Sequence, residues 1–151
     1  MTQEDKELLL KDLCARLPYG VCVEHTSRFR GTLHDLTVYF TYNDDDTIKD
    51  YMCYTDFFGD ESCKIEFFKP YLFPLSSMTE EQKIELSKLT NSEITHEGLT
   101  YEEGGTLVEY EVLFSYSLMC NVIDWLNKNH FDYRGLIEKG LALDATGLNI
   151  Y

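Results

Sequence analysis

Basic residues are scarce in this chain. It has 13 Lys and Arg against 27 Asp and Glu in 151 residues, which gives a formal net charge of −14. Binding to a nucleic-acid backbone requires clustered Lys and Arg, and an anionic membrane surface repels an acidic chain. The composition therefore predicts neither direct nucleic-acid binding nor membrane association.

Long apolar runs and paired cysteine motifs are absent too. No stretch approaches 18 consecutive apolar residues, and the segment from Met1 to Lys11 has no continuous apolar core, so we predict no transmembrane helix and no signal peptide. The five cysteines are an odd number without a CxxC pair, which disfavours a disulfide scaffold, a zinc ribbon and a thioredoxin-type dithiol. We expect a cytoplasmic protein with reduced thiols.

Known catalytic motifs are missing as well. The chain has no GxSxG, GxxxxGK[ST] or GxGxxG, and Gly104-Gly105-Thr106 indicates a turn. The acidic run at 43–46 lacks the spaced acids, central Gly and final Glu of an EF-hand loop. His130 and Asp132 offer two potential metal ligands without an identifiable third. We therefore predict no catalytic residue, no cofactor and no metal site.

What the chain does have is acidity confined to two segments. Residues 43–62 carry a net charge of −6 and residues 80–111 carry −7, so together they hold nearly all of the excess. If the two segments meet in space, they form one acidic face. The candidate residues for that face are Asp44, Asp45, Asp46, Glu102 and Glu103.

The N-terminal third predicts one helix followed by strands. Thr2 and Asp5 form a capping-box pattern, and leucines spaced three and four apart continue the helix to about Leu17, where Pro18 and Gly20 end it. Val21 and Val23 then indicate a short strand. Alternating residues predict strands over 33–42, 47–55 and 64–68, joined by the acidic turn at 43–46, as a small antiparallel sheet.

The C-terminal half predicts further helices. Because prolines remove backbone donors, residues 69–75 should cross over the sheet as an extended segment. A second capping box at Thr79 starts a helix to about Leu89, an amphipathic helix spans 118–126 and ends at 127–129, and residues 132–142 hold at most one or two helical turns. For 106–114 a hairpin strand after Gly104-Gly105 and a helix from Leu107 both remain open.

These elements predict a single α+β domain over residues 1–151. It has an N-terminal helix, a small antiparallel sheet with a barrel-like curl as an open alternative, and two or three C-terminal helices packed on the sheet.

The segment from 125 to 137 has the densest mixture of aromatic and charged residues. Large amphipathic side chains and arginine are favoured anchors of protein interfaces. The candidate interaction residues are Trp125, His130, Asp132, Tyr133 and Arg134. The alternative interpretation is structural, with an internal Arg134–Asp132 salt bridge that holds the C-terminal turn and with Trp125 in the core.

Three sequence blocks carry a family resemblance. They read LLKDLCARLPYGV at 9–21, KPYLFPLSSMTEE at 69–81, and DWLN at 124–127 with HFDYRGLI at 130–137. Together they resemble a family of small uncharacterised proteins from Bacteroides genomes, their phages and mobile elements. The resemblance implies that habitat and no assigned activity, so it gives no residue a role. Residues 22–68 and 90–117 depart from the pattern.

Three functions follow as expectations. The first is a non-enzymatic cytoplasmic protein-interaction module with an unknown protein partner, acting in mobile-element or phage life. The alternative is an acidic nucleic-acid mimic that inhibits a DNA- or RNA-binding protein, which requires one continuous acidic face. The third is a small enzyme whose unfamiliar site gathers His130, Asp132 and a cysteine. The sequence predicts no particular oligomeric state.

Overall fold

The computed structural model describes most of the chain. The described residues are 1–27, 29–33, 36–42, 44, 48–54, 62–90, 93–95, 98–100, 102–103, 106–107 and 116–151. Only the backbone is described for some of these residues: 37–42, 48–54, 62–63, 90, 93–95, 98–100, 102–103, 106–107 and 116–118.

The first helix follows the sequence prediction closely. Helix α1 spans Gln3–Arg16, and its capping box is formed by the Asp5 N–H, which donates to Thr2 Oγ1, and the Thr2 N–H, which donates to Asp5 Oδ2, both at 3.1 Å. A 3₁₀ turn follows over Leu17–Tyr19. Gly20 then turns the chain at a φ of 68°, a conformation that glycine adopts without strain.

Three helices and twelve strands are described. The helices are α1, α2 (Glu80–Thr90) and α3 (Tyr116–Lys128). The strands are β1 (Cys22–His25), β2 (Arg30–Thr32), β3 (Thr37–Tyr42), β4 (Ile48–Tyr54), β5 (Ser62–Lys64), β6 (Phe68–Pro74), β7 (Glu93–Thr95), β8 (Gly98–Thr100), β9 (Glu102–Glu103), β10 (Thr106–Leu107), β11 (Phe131–Asp132) and β12 (Leu143–Asp144).

The α+β class is confirmed, with a five-stranded sheet that is open rather than barrel-like. Strands β2, β1 and β6 pair antiparallel, and both β11 and β12 pair parallel with β6. The sheet is therefore mixed, whereas the sequence predicted an antiparallel one. Strands β11 and β12 follow α3, and β11 includes Asp132, the first residue of the segment 132–142 in which at most one or two helical turns were predicted.

Residues 69–75 required a correction. Residues 69–74 are extended as predicted and Leu75 begins a 3₁₀ turn, but β6 lies inside the sheet instead of crossing over it. The prolines are tolerated because the neighbours of β6 pair with it over different stretches: β1 along 68–70, β12 along 71–72 and β11 along 73–74. No single neighbour requires a donor from every residue of the strand.

The remaining strands form smaller antiparallel sheets. Strands β3, β4 and β5 pair in that order, which confirms the predicted hairpin around the acidic turn. Strands β9 and β10 pair around the predicted turn at Gly104-Gly105, so residues 106–107 are strand; residues 108–115 lie outside the described residues. A further hairpin, β7–β8, was not predicted.

The described core divides into clusters on either side of β6. Leu9 and Leu13 of α1 pack with Val23 and Phe68 of the sheet and with Leu136 from the C-terminal turns. A second cluster joins α2, α3 and β11; its buried members are Met78, Leu86, Val122, Trp125, Leu126 and Phe131. In the part of the chain that is described, no helix is long and apolar enough to cross a membrane.

Candidate functional site

The candidate site begins where α3 ends. The N–H of Asn129 donates to Trp125 O, and the N–H of His130 donates to Asn127 O. His130 then takes a φ of 57°, a left-handed conformation that is uncommon outside glycine and asparagine. This turn reverses the chain at the predicted end of the helix and brings Phe131 and Asp132 alongside β6, where Phe73 N donates to His130 O.

Asp132 organises the turn that follows. Its Oδ1 accepts from the Leu136 N–H at 2.9 Å, and its Oδ2 accepts from the Ile137 N–H at 2.8 Å. The carboxylate is buried, so these bonds replace the water that an exposed carboxylate would bind. Asp132 holds the C-terminal turn as the structural interpretation expected, but it does so through backbone amides rather than through Arg134.

A buried ion pair on α1 lies beside this turn, and it was not predicted from the sequence. Asp12 and Arg16 are both fully buried, with Arg16 Nε 2.8 Å from Asp12 Oδ2 and Nη2 3.0 Å from Oδ1. Arg16 Nη2 also donates to Phe131 O at 2.8 Å. The i, i+4 spacing of an acid and a base was a visible signal, but that spacing usually marks an exposed helix face.

Tyr133 and Arg134 complete the surroundings of this ion pair. The Tyr133 ring lies near two guanidinium groups, with Arg16 Cζ 5.5 Å and Arg134 Cζ 4.9 Å from its centroid. Arg134 Nε lies 3.9 Å from Asp12 Oδ1, so Arg134 turns towards Asp12 instead of Asp132. The Tyr133 hydroxyl donates to Asn127 Oδ1 at 3.1 Å. Both side chains are half-buried.

His130 stacks on Tyr151, another residue that was not predicted from the sequence to belong to the site. The two ring centroids are 3.8 Å apart and nearly parallel at 10°. Burial, with a smaller contribution from the charge of Arg16, lowers the pKa of His130 to about 4, so the ring is neutral near pH 7. The Tyr151 hydroxyl donates to Tyr71 O at 2.6 Å and accepts from the Cys22 N–H at 3.2 Å.

Trp125 belongs to the core, as its structural interpretation expected. It is buried and stacks on Phe131, with centroids 5.7 Å apart and an interplanar angle of 11°. Of the five candidate interaction residues, Trp125, His130 and Asp132 are buried, and only Tyr133 and Arg134 reach the surface. The structure thus brings all five together around β11, mainly as internal contacts.

Only three of the five candidate residues for the acidic face lie in the described part of the chain. Asp44 is exposed, Asp45 and Asp46 lie outside the described residues, and Glu102 and Glu103 form β9. Whether the two acidic segments form one face stays a prediction. Among the described residues, no group of three or more His, Cys, Asp and Glu is arranged to hold a metal ion.

A separate feature is the aromatic patch, formed by Phe29 and Phe67 at one end of the main sheet. Phe29 is 62% exposed and Phe67 is 38% exposed. Both are bonded to the end of β1, on opposite sides of it: the His25 N–H donates to Phe29 O on the β2 side, and the Thr26 N–H donates to Phe67 O on the β6 side. The His25 ring meets the Phe67 ring edge-on at 5.8 Å.

Comparison with known protein families, curated proteins and solved structures finds no match to this chain. The family resemblance of its three sequence blocks therefore stays a prediction.

Proposed function

We propose that this protein is a non-catalytic module that binds another protein, with the aromatic patch as its contact. The observation that carries the proposal is the exposure of two phenylalanines at the same end of the main sheet, one on each side of β1. Exposing large aromatic side chains to water is unfavourable, and aromatic residues are enriched at protein interfaces. A partner that covers Phe29 and Phe67 removes this apolar surface from water.

The charges beside the patch define the partner further. Arg30 is exposed next to Phe29, and Lys69 is half-buried on β6 close to Phe67. Residues 63–79 carry a net charge of +1 in a chain whose total is −14. Glu24 of β1 is the register partner of both Arg30 and Lys69, which leaves one excess positive charge here. The complementary surface is therefore an apolar pocket with an acidic group at its rim, since opposite charges at an interface rim favour encounter and orientation.

The charged cluster around β11 supports a non-catalytic role. Asp132 is engaged by two backbone amides, and Asp12 is engaged by Arg16. His130 is buried against Tyr151 with a pKa well below neutrality, whereas a general base works best with a pKa near the operating pH. These groups stabilise the turn that carries β11 and β12.

The test compares two double variants in affinity capture. The tagged wild type, Phe29→Ser/Phe67→Ser and the matched control Ile84→Ser/Leu148→Ser are incubated with lysate of the source organism. Ile84 is 54% exposed and Leu148 is 48% exposed, so the control removes a similar amount of exposed apolar surface elsewhere. Quantitative mass spectrometry then compares the captured proteins, after circular dichroism has shown that all three chains are folded.

We expect one protein to be retained by the wild type and the control but reduced at least about tenfold by the patch variant, as for loss of an interface anchor. Calorimetry with that purified partner should give the same order of affinities, weakened further by Arg30→Glu. Equal retention by all three chains, or equal loss from both variants, would show that the patch is not the contact.

A further inference from the structure

Two cysteines occupy directly opposite positions in the β3–β4–β5 sheet. Strand β4 pairs antiparallel with β5, and Cys53 is the register partner of Cys63. The positions on either side keep the same register, with Met52 opposite Lys64 and Tyr54 opposite Ser62. Cys53 and Cys63 are ten residues apart in the sequence, and the sequence analysis assigned them no role.

The register places the two Cα atoms within the range of a disulfide. In an antiparallel pair, directly opposite Cα atoms are separated by about 5.5 Å at a hydrogen-bonded position and by about 4.5 Å at a non-hydrogen-bonded one. Disulfides span Cα–Cα distances of about 4.4 to 6.8 Å. Either kind of position therefore allows the two cysteines to be joined with little movement of the backbone.

We propose that Cys53 and Cys63 form a redox-sensitive dithiol that closes into a cross-strand disulfide when the chain meets a low-molecular-weight disulfide. The thiolate of one cysteine attacks a sulfur of that disulfide, forms a mixed disulfide and releases one small thiol. The second cysteine, after losing its proton, attacks the protein sulfur of the mixed disulfide and releases the second small thiol. The protein loses two hydrogens and two electrons, and the small disulfide is reduced to two thiols.

The other three cysteines provide internal references. Cys14 is exposed, Cys120 is half-buried and Cys22 is buried; all three are free thiols. Closing the 53–63 pair covalently joins β4 to β5, so oxidation would stabilise this sheet against separation of its strands. Intracellular disulfides of mesophiles are typically redox-sensing or catalytic, which suits a reversible pair in a chain without a CxxC motif.

The tryptic map of the chain allows a direct test. Cleavage after Lys49 and Lys64 releases residues 50–64, which contain Cys53 and Cys63 and no other cysteine. The folded protein is equilibrated in buffers of increasing glutathione disulfide to glutathione ratio, and its remaining thiols are blocked with an alkylating reagent. The protein is then digested with trypsin, and the masses of the peptides are measured by mass spectrometry. We expect peptide 50–64 to be two hydrogens lighter and not alkylated, because its two cysteines are joined. At the same glutathione disulfide to glutathione ratio, peptide 12–16, which contains Cys14, should still be alkylated.

A denatured sample shows whether the fold is responsible. In denaturant the same pair is held together only by its short spacing in the sequence, so closure should require a glutathione disulfide ratio at least about tenfold higher than in the folded chain. Equal ratios in the two states would overturn the proposal. Two other results would also overturn the proposal. One is a folded chain in which Cys53 or Cys63 carries glutathione instead of joining the other. The second is a folded chain in which Cys53 and Cys63 are still free thiols when Cys14 already carries glutathione.

A register control keeps the composition unchanged. The double substitution Ser62→Cys/Cys63→Ser moves one cysteine by a single position, and adjacent positions of a strand lie on opposite faces of the sheet. We expect the ratio needed for closure to shift to the value of the denatured wild type while circular dichroism stays unchanged. Closure of this variant at the ratio of the folded wild type would show that register has no part in it.

Discussion

At the scale of single residues, burial decides which charged groups matter for stability. Asp12 and Arg16 are removed from water, and their mutual bonds and the bond to Phe131 O replace the lost hydration. The pair between Lys83 and Glu80 on α2 has similar spacing, but the Glu80 side chain is 81% exposed. Only the buried pair should therefore be expensive to break.

Replacing Arg16 by Met leaves the Asp12 carboxylate buried, and among the described residues its remaining counter-charge is Arg134, 3.9 Å away. We expect the free energy of unfolding, measured with urea, to fall by about 3–5 kcal/mol. Lys83→Met, the matched control, should cost less than about 1 kcal/mol because exposed pairs contribute little. Adding Asp12→Leu to Arg16→Met should recover part of the loss. Similar losses in Arg16→Met and the control would contradict the burial argument.

His130 gives the folded protein a specific pH dependence. Its pKa is about 4 in the folded chain against 6.5 in the unfolded one, so the unfolded state binds the proton first as the pH falls. Its contribution to stability is complete above pH 6.5, declines as the pH falls towards 4, and changes no further below that. A pKa difference of this size corresponds to about 3 kcal/mol.

The check is a comparison with His130→Asn, since asparagine tolerates the left-handed backbone at this position. Urea unfolding is measured between pH 7 and pH 4 for both proteins. The carboxylates are common to both, so the difference between the curves isolates His130, and the wild type should lose stability more steeply. Parallel curves would mean that His130 takes up its proton as readily in the folded chain as in the unfolded one.

At the scale of elements, local sequence signals were sufficient where the bonds are local. The capping boxes at Thr2 and Thr79 involve residues three apart, so they form in the structure as the pattern predicts. The β3–β4 hairpin follows the alternation of its strands for the same reason. The partners of β6 could not be predicted in this way, because β1, β11 and β12 are distant from it in the sequence.

Thr79 tests the cap of α2. Its Oγ1 accepts from the Gln82 N–H at 3.3 Å, while its own N–H donates to Gln82 Oε1 at 2.9 Å. We expect Thr79→Ala to lower the free energy of unfolding by about 1 kcal/mol, because one helix N–H loses its acceptor. Thr146→Ala, at an exposed position outside the helices, serves as the control and should have little effect on the urea midpoint. An equal effect at both positions would argue against the capping role.

At the scale of the whole molecule, the C-terminal residues join elements that are far apart in the sequence. The Tyr151 hydroxyl bridges β1 and β6 through Cys22 N and Tyr71 O, and its ring stacks on His130 after α3. Burial raises the pKa of Tyr151, and the hydrogen bond from the Cys22 N–H opposes that rise. A single side chain thus completes the hydrogen bonding where the two strands meet.

Tyr151→Phe removes the hydroxyl and keeps the ring. We expect a loss of about 1–3 kcal/mol in urea unfolding, because the Cys22 N–H and the Tyr71 carbonyl lose a partner. The Cys22 amide should also exchange with deuterium faster, as measured by NMR. Tyr133→Phe loses a hydroxyl bond to Asn127 and should leave the Cys22 amide unchanged. Unchanged exchange in Tyr151→Phe would show that the bridge does not protect this amide.

The sequence by itself determined α1, α2 and most of α3, the caps of α1 and α2, the β3–β4 hairpin and the pairing of β9 with β10, because hydrophobic periodicity, capping and hairpin formation depend on neighbouring residues. It also grouped Trp125, His130, Asp132, Tyr133 and Arg134 by their closeness in the chain. Only the tertiary structure decided that Asp12 and Arg16 are buried, that Tyr151 reaches β1 and that Phe29 and Phe67 are exposed at the same end of the main sheet. Those contacts depend on pairing between distant segments, and no local pattern of residues specifies such pairing.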